Sequence, residues 1–428
     1  MTRRVGLWIG FVAVHALVAV LGWVEPNSPM GDVYLVYEKW SLAYLHGGVV
    51  DPSVYPLVTG PEHVGYVGFD SAWVYPHLAL LPMLATWAFG WAVSYTPAWA
   101  ILVTSLDVVA FAVLVGRGRS RGRRAAAWFW LGYLVLLGPI ALYRIDAVTV
   151  PLAVLGCLWL VRRPAVAAAL LAAATWMKVW PAALLLAALV AVRRRLALIA
   201  GAAAVCAATV LAVVLGGGGA YLFGFVGDQT GRDLQAESPA STVYLWLTML
   251  RVPGAGVYYD RDLLTFEVSG PGADAVAAAM TPLLAVAVLA VAAIGALKAW
   301  RGASFARLFP PLALALVGVL IVCNKVGSPQ FMVWLIAPLV VGLALDRRHW
   351  RDPALLALVI AATTHVVYPL TYYALLAAEP IPVAVITVRN VLLVVLTVWA
   401  VVRLCRVPAR TRRAVASVPS AAVPTPSP

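Results

Sequence analysis

The sequence predicts an all-α polytopic membrane protein, and three observations carry that expectation. Apolar runs of about 18 residues or more, enough to cross a hydrocarbon core of about 30 Å, recur from one end of the chain to the other. Hydrophobic residues make up 63% of the 428 and charged residues only 11%, with a mean hydropathy of +0.92. Soluble domains carry about 25% charged residues. Basic residues fall in short blocks between the runs rather than along them. In lipid, each backbone polar group must be satisfied within its own segment, so such runs are helices. A barrel would instead show short segments of alternating hydrophobicity, and the sequence has none of that pattern. A soluble globule is thereby excluded. The net charge of +13 does not point to nucleic acid, because its positions are those of inter-span loops.

Each element follows in order. "MTRRVGLWIGFVAVHALVAVLGWV" reads as a retained first span over residues 5–24, since no small-x-small cleavage site follows it. Basic blocks sit at Arg3 and Arg4, at 117–124, at Arg162 and Arg163, at 193–195, at Lys298 with Arg301 and Arg307, at 347–351, and from Arg403 onward. Together they hold 23 of the 31 Lys and Arg, but only Asp346 and Asp352 of the 18 acidic residues. That asymmetry assigns the blocks to the cytoplasmic side. Loop 25–75 is then external. The run 76–93, broken by Pro76, Pro82 and Gly90, reads as a re-entrant or interfacial segment. Spans follow over 97–116, 125–142 and 147–161. The stretch between Arg162 and Arg195 begins and ends in arginines. It reads as a hairpin of two short helices turning at "WMKVWP", with Lys178 near its outer tip. Beyond span 196–215 comes a polar external loop, 216–273, and then runs at 275–299, 304–322, 330–345, 353–375 and 382–402. The total is about twelve spans in one membrane domain, residues 1–405, followed by a Pro/Ser-rich cytoplasmic tail, 406–428, expected to be disordered. The cysteines (Cys157, Cys206, Cys323, Cys405) are scattered and form neither a metal spacing nor a disulfide framework.

The polar residues left over carry the functional information. Eight basic residues lie outside the blocks: Lys39, Arg144, Lys178, Arg232, Arg251, Arg261, Lys325 and Arg389. On this topology all are external or in the outer half of a span, as are Asp32, Glu38, Asp70, Asp146, Glu237 and Glu379. Ionisable groups at membrane depth usually face a polar cavity, so the set implies a cavity open to the outer side. Lys178, Lys325 and Arg389 are cations of the kind that hold a lipid phosphate, Arg by a bidentate fork and Lys as a point charge. They also read as partners of Asp146 or Glu379, or as snorkelling side chains. Asp107, midway along an apolar span, reads as an interhelix hydrogen-bonding group. The stretch "GDQTGRDLQAES" (227–238) is dense in donors and acceptors, and the external loops are rich in Tyr and Trp, which anchor at interfaces or stack on sugars. Asp32 in "GDVYLVYEKW" also fits an N-cap of the segment starting near Val33.

These same residues resemble glycosyltransferase family 87, polyprenyl-phosphate-sugar-dependent enzymes of the GT-C superfamily. The similarity rests on "GDVYLVY" after the first span, "VYP", "WMKVWP", "GRDLQAES", "NKVGSPQFMVWLIAPL" and "VRNVLLVVL", in that order over residues 1 to about 405. It implies a GT-C-type helical bundle whose external loops carry short interfacial helices. It also implies a polyprenyl-phosphate sugar donor, most often of mannose, in the outer leaflet of the plasma membrane, and a lipid-linked or envelope glycan acceptor. Asp32 would be the catalytic base, and Lys178, Lys325 and Arg389 would take the donor phosphate. Arg232, Gln235, Glu237, Gln330 and Tyr37 would contact sugar or acceptor. Neither metal nor other cofactor is expected, and no Gly-rich nucleotide loop occurs. An arabinofuranosyl donor fits equally. A transporter or flippase fits less well, since no repeat is evident and the free charges cluster at one side. A cysteine placed at Ser120 should react only once the cytoplasmic face is opened to reagent. Labelling of that residue in intact cells would invert the orientation.

Overall fold

The computed structural model describes residues 3–230, 232–261 and 265–408; the expected tail lies, from residue 409 on, outside them. The chain begins with α1 (Arg3–Val24). A π-helical turn, Asp32–Tyr37, then runs directly into α2 (Glu38–Leu45). The loop after α1 folds back as a small antiparallel ladder, β1 (Val49–Val50) with β2 (Glu62–His63). The proline-broken run becomes a chain of short pieces, a 3-10 turn at His77–Ala79, α3 (Leu80–Ala85) and a second turn at Thr86–Phe89. Long helices α4 (Tyr95–Val115) and α5 (Arg121–Leu137) follow, then α6 (Ile145–Trp159), α7 (Pro164–Thr175), α8 (Pro181–Ala191) and α9 (Arg195–Leu215). The hairpin between the arginines is thus two helices of 12 and 11 residues. Each opens on a proline, whose missing N–H costs nothing in a first turn.

The long loop after α9 carries α10 (Gly224–Thr230), α11 (Thr242–Met249) and the hairpin β3 (Gly256–Asp260) with β4 (Thr265–Ser269). The chain then continues as α12 (Ala273–Trp300), α13 (Phe305–Val322), a 3-10 stretch Pro329–Leu335 leading into α14 (Ile336–Leu345), α15 (Arg347–His365), α16 (Tyr372–Leu376) and α17 (Pro380–Cys405). Among the described residues, eight helices are long and apolar enough to cross a membrane: α1, α4, α5, α9, α12, α13, α15 and α17. The chain is therefore an all-α, multi-pass membrane protein. The remaining apolar helices (α6, α7, α8 and the Pro329–Leu345 stretch) are shorter than a bilayer-spanning length. They make up much of the buried centre: α6 is buried at most of its positions, and α14 at eight of its ten.

The basic blocks come together at one end of the bundle. Arg4 lies against Gly118, Gly122 against the Leu343 and Ala344 carbonyls, and Arg123 close to Arg162. One cleft is shared by Val161, Arg193–Arg195 and Gly302–Phe305, and Lys298 donates to the Cys405 and Val407 carbonyls. The alternation of helix direction places the solitary charges at the opposite end. The expected internal partner for Asp107 is His15: its Nε2 lies 3.1 Å from Asp107 Oδ2, while Nδ1 lies 2.9 Å from the Phe11 carbonyl. This pair joins α1 to α4 with both side chains buried, as intramembrane ionisable groups require.

Close helix packing relies on small residues, since lipid offers no hydrophobic drive between helices. A methyl group at Gly201 of α9 would come within 2.0 Å of the Ala165 carbonyl oxygen of α7, whereas one at Gly6 of α1 meets nothing within 4 Å. Gly201→Val should therefore sharply reduce the yield of monodisperse protein, with Gly6→Val close to wild type. Equal yields by size-exclusion chromatography would contradict the packing.

Candidate functional site

The centre of the site is Arg144, at the break between the turn ending α5 and the start of α6. Its side chain is buried yet donates three hydrogen bonds, Nη1 to the Pro29 carbonyl (2.6 Å) and its neighbour's at Tyr143 (2.8 Å) and Nη2 to the Tyr368 hydroxyl (3.1 Å), while Nε forms an ion pair with Asp32 Oδ2 (3.2 Å). A buried guanidinium is tolerated only when its fork is filled in this way. Asp32 itself is partly open, with 37% of its side chain exposed. Arg144 approaches one carboxylate oxygen, Oδ2. The capping role considered for Asp32 does not occur: Gly31 occupies the N-cap position without a side-chain bond, and Asp32 begins the π-helical turn.

Tyr37 closes the floor beneath Asp32. Its hydroxyl accepts from the Ile145 N–H at 3.1 Å and lies 3.5 Å from the Tyr75 hydroxyl. Lys178, at the tip of the α7–α8 hairpin, places its ammonium 4.6 Å from the Tyr75 ring centroid, a cation–π distance, and within Coulombic reach of Asp146. Asp146 is fully buried and accepts from Trp334 Nε1 at 2.7 Å; Trp334 stacks on Trp180, whose own N–H reaches Thr149. Lys178 acts on Asp146 at Coulombic range only, with no ion pair between them among the described residues.

The second half of the site is the segment 232–238. Its backbone adds to the hairpin, with Ala236 N–H donating to Phe266 and Val268 N–H to Leu234, both at 2.9 Å. On its other side Gln235 N–H donates to the Lys325 carbonyl, and the Gln235 side chain accepts from Gly327 N–H at 2.9 Å. A Cβ at Gly327 would sit 2.2 Å from Ser238 N, so only glycine permits this approach. Gln235 therefore clamps two chain segments, while Gln330 is half-buried in the following turn. Lys325 lies beside Asp233 and Glu267, and burial holds its ammonium below the usual lysine range. Arg232 is half-buried in the same charge cluster.

Arg389 is fully buried in α17. It donates to the Glu237 carbonyl at 2.8 Å, with Nη2 3.8 Å from Glu237 Oε2. Its carboxylate partner is Glu237, rather than the Asp146 or Glu379 considered from sequence; Glu379 is exposed at the start of α17. Glu237 also lies in the field of Arg144, which links the two halves of the site. The site residues expected from sequence thus fall into two adjoining groups: Asp32, Tyr37 and Lys178 around Arg144, and Arg232, Gln235, Glu237, Lys325 and Arg389 around the 232–238 segment. Sequence reasoning gave no site role to Arg144, Asp146, Tyr75 or Tyr368, although it counted the first two among the outer charges. The opposite charges of "YRID" (143–146) between two apolar runs were the available signal.

A cavity of about 480 Å³ nearby is lined by Leu35 and Lys39 of the Asp32 helical stretch, with Lys39 paired to Glu62 at 2.6 Å. It does not include Asp32. No group of three or more metal-ligating side chains occurs among the described residues.

Fold and site define a multi-pass helical membrane protein with a charged cluster opposite its basic end. Compared with protein-family models, with curated proteins and with solved structures, the chain matches none.

Burial pushes the Glu237 carboxyl up to about 7, against the opposing pull of Arg389 and then Arg144. Below about pH 4.5 the group is protonated folded or unfolded, and between 4.5 and 7 only the folded state keeps its proton. Its contribution to stability is therefore full in acid and is lost as pH rises through 7. Glu38, also raised to about 7 by burial, adds a parallel slope, so the comparison is between proteins. Melting temperatures of wild type should fall more steeply from pH 4.5 to 8 than those of Glu237→Gln. Parallel curves would remove Glu237 from this account.

Proposed function

We propose that the chain is a membrane glycosyltransferase. It moves a hexose, mannose by the family resemblance, from a polyprenyl-phosphate donor to a lipid-linked or envelope glycan acceptor on the extracytoplasmic face of the plasma membrane, with inversion. The observation that carries this reading is the partly exposed Asp32 carboxylate fixed by buried Arg144 at the end of the bundle opposite the basic blocks. The acceptor hydroxyl attacks the anomeric carbon as the bond from that carbon to the phosphate oxygen breaks. The carboxylate of Asp32 takes the hydroxyl proton, and polyprenyl phosphate leaves with the bonding pair. Arg144 holds the carboxylate in place. Lys178 supplies positive charge toward the departing phosphate from the adjoining hairpin tip. The buried Arg389 acts at one remove, holding Glu237 and so the 232–238 segment against which sugar or acceptor would rest. The GT-C-type bundle of about twelve spans belongs to the same proposal. The short helices α6, α7, α8 and α14 then cross a locally thinned or protein-lined region.

A second reading, a lipid or polyol transporter, is favoured by one observation, the buried His15–Asp107 pair within α1 and α4. Intramembrane ionisable pairs often mark transport paths.

Asp32→Asn separates the two readings, because amide and carboxylate have nearly the same shape but only the carboxylate takes a proton. Transfer of radiolabelled mannose from polyprenyl-phosphate mannose should fall by about 10²–10⁴-fold, the usual contribution of a positioned base. The melting temperature should also fall, because the amide leaves buried Arg144 without its charged partner, so transfer is compared per folded protein. Full transfer by Asp32→Asn would refute the assignment. Lys178→Ala should cost about tenfold or more in kcat/KM for donor, the effect of one charge-assisted contact, with little change for acceptor. Normal donor kinetics would return Lys178 to a purely structural role beside Asp146.

A further inference from the structure

The basic end of the bundle contains a cleft that the transfer reaction does not use. It has a volume of about 470 Å³ and lies where the α8–α9 connection meets the α12–α13 connection. Its walls are apolar, with Val161, Val190 and Phe305 among them, and its rim carries three consecutive arginines, Arg193, Arg194 and Arg195. All three are exposed, and no carboxylate lines the cleft. No ion pair holds any of them among the described residues. Among the described residues, the Arg195 side chain donates a hydrogen bond only to the Val190 carbonyl, at the long distance of 3.5 Å. The helices beside the cleft face outward for most of their length: only 17% of the spanning window is buried in α9 and in α12. The apolar walls therefore continue into surfaces that acyl chains already cover.

We propose that this cleft binds one anionic glycerophospholipid, its phosphate on Arg193–Arg195 and the start of its acyl chains against Val190 and Phe305. Positive-inside topology needs arginines near a helix end, but it needs no cavity between helices and no apolar wall behind the charges. A headgroup phosphate is the anion that arrives attached to apolar chains, and arginine's fork matches its oxygens. Basic pockets between transmembrane helices are the usual seats of such headgroups. Closing the gap between the two connections with a bound lipid would also tie α9, which packs mainly on α7, to the α12–α13 pair.

The test uses purified full-length protein in uncharged detergent, with dioleoyl phosphatidylglycerol, dioleoyl phosphatidylcholine and inorganic phosphate as probes, read by native mass spectrometry and thermal shift. Wild type should retain one phosphatidylglycerol and be stabilised by it, with phosphatidylcholine bound at least about tenfold more weakly. Millimolar phosphate should not displace the lipid. Arg193→Gln with Arg194→Gln should weaken retention by about tenfold or more. Ala303→Trp, which fills the cleft and leaves every arginine in place, should do the same. Equal retention of the two lipids by wild type would overturn the proposal without need of any variant. So would full displacement by phosphate, which would mark a site for a free anion, or unchanged retention in a folded Ala303→Trp protein.

Discussion

The arrangement of this protein depends on one buried guanidinium. Arg144 sits where lipid and protein exclude water, and its donors reach Pro29, Tyr143, Tyr368 and Asp32. Tyr143 is its neighbour in the chain, but Pro29 and Asp32 belong to the loop after α1 and Tyr368 lies just past the end of α15, all remote in sequence. Breaking a buried charge network by removing one partner costs about 3–5 kcal/mol. A cation so placed therefore fixes the geometry of everything that satisfies it. The π-helical turn of Asp32–Tyr37 is held from both ends: Asp32 by the guanidinium, Tyr37 by the N–H of Ile145, the residue after Arg144. Helix, loop and carboxylate are positioned together.

The same constraint explains how the two halves of the site meet. Glu237 lies between Arg389 and the field of Arg144. The segment carrying it is wedged between a β-hairpin and the Lys325–Ser328 segment by backbone hydrogen bonds and by the absence of a side chain at Gly327. Charges that would be prohibitive alone at membrane depth are tolerated because each faces another charge or a carbonyl. The opposite end of the bundle needs no such network, since its arginines reach water and headgroups directly.

Much of this was legible in the sequence, for physical reasons that differ by element. The basic blocks fixed which connections share an end, and Arg4 against Gly118, Gly122 against Ala344 and Lys298 against Cys405 bring those blocks together as expected. The α7–α8 hairpin was legible because arginines bracket it and "WMKVWP" breaks it. The partner of Arg389 was not, because pairing across 152 residues leaves no local trace. Nor was the hairpin of Gly256–Ser269, whose alternation in a polar loop is short and weak beside the helical signal. Asp32 was singled out by its place after the first span. Arg144 escaped notice as its partner because a lone arginine between two apolar runs reads as one more outer cation until its neighbours are known.

A carboxylate pinned by a buried arginine, with lysine charge nearby and no nucleotide loop, fits a reaction in which the leaving group is a lipid phosphate that never leaves the membrane. The most direct measurement places purified wild-type protein in liposomes containing polyprenyl-phosphate mannose and a glycan-lipid acceptor, and follows donor, product and released polyprenyl phosphate together. The account predicts that mannose appears on the acceptor with inverted configuration, one polyprenyl phosphate being released for each sugar transferred. Donor that moves intact between leaflets, with no sugar transferred and no polyprenyl phosphate released, would contradict it.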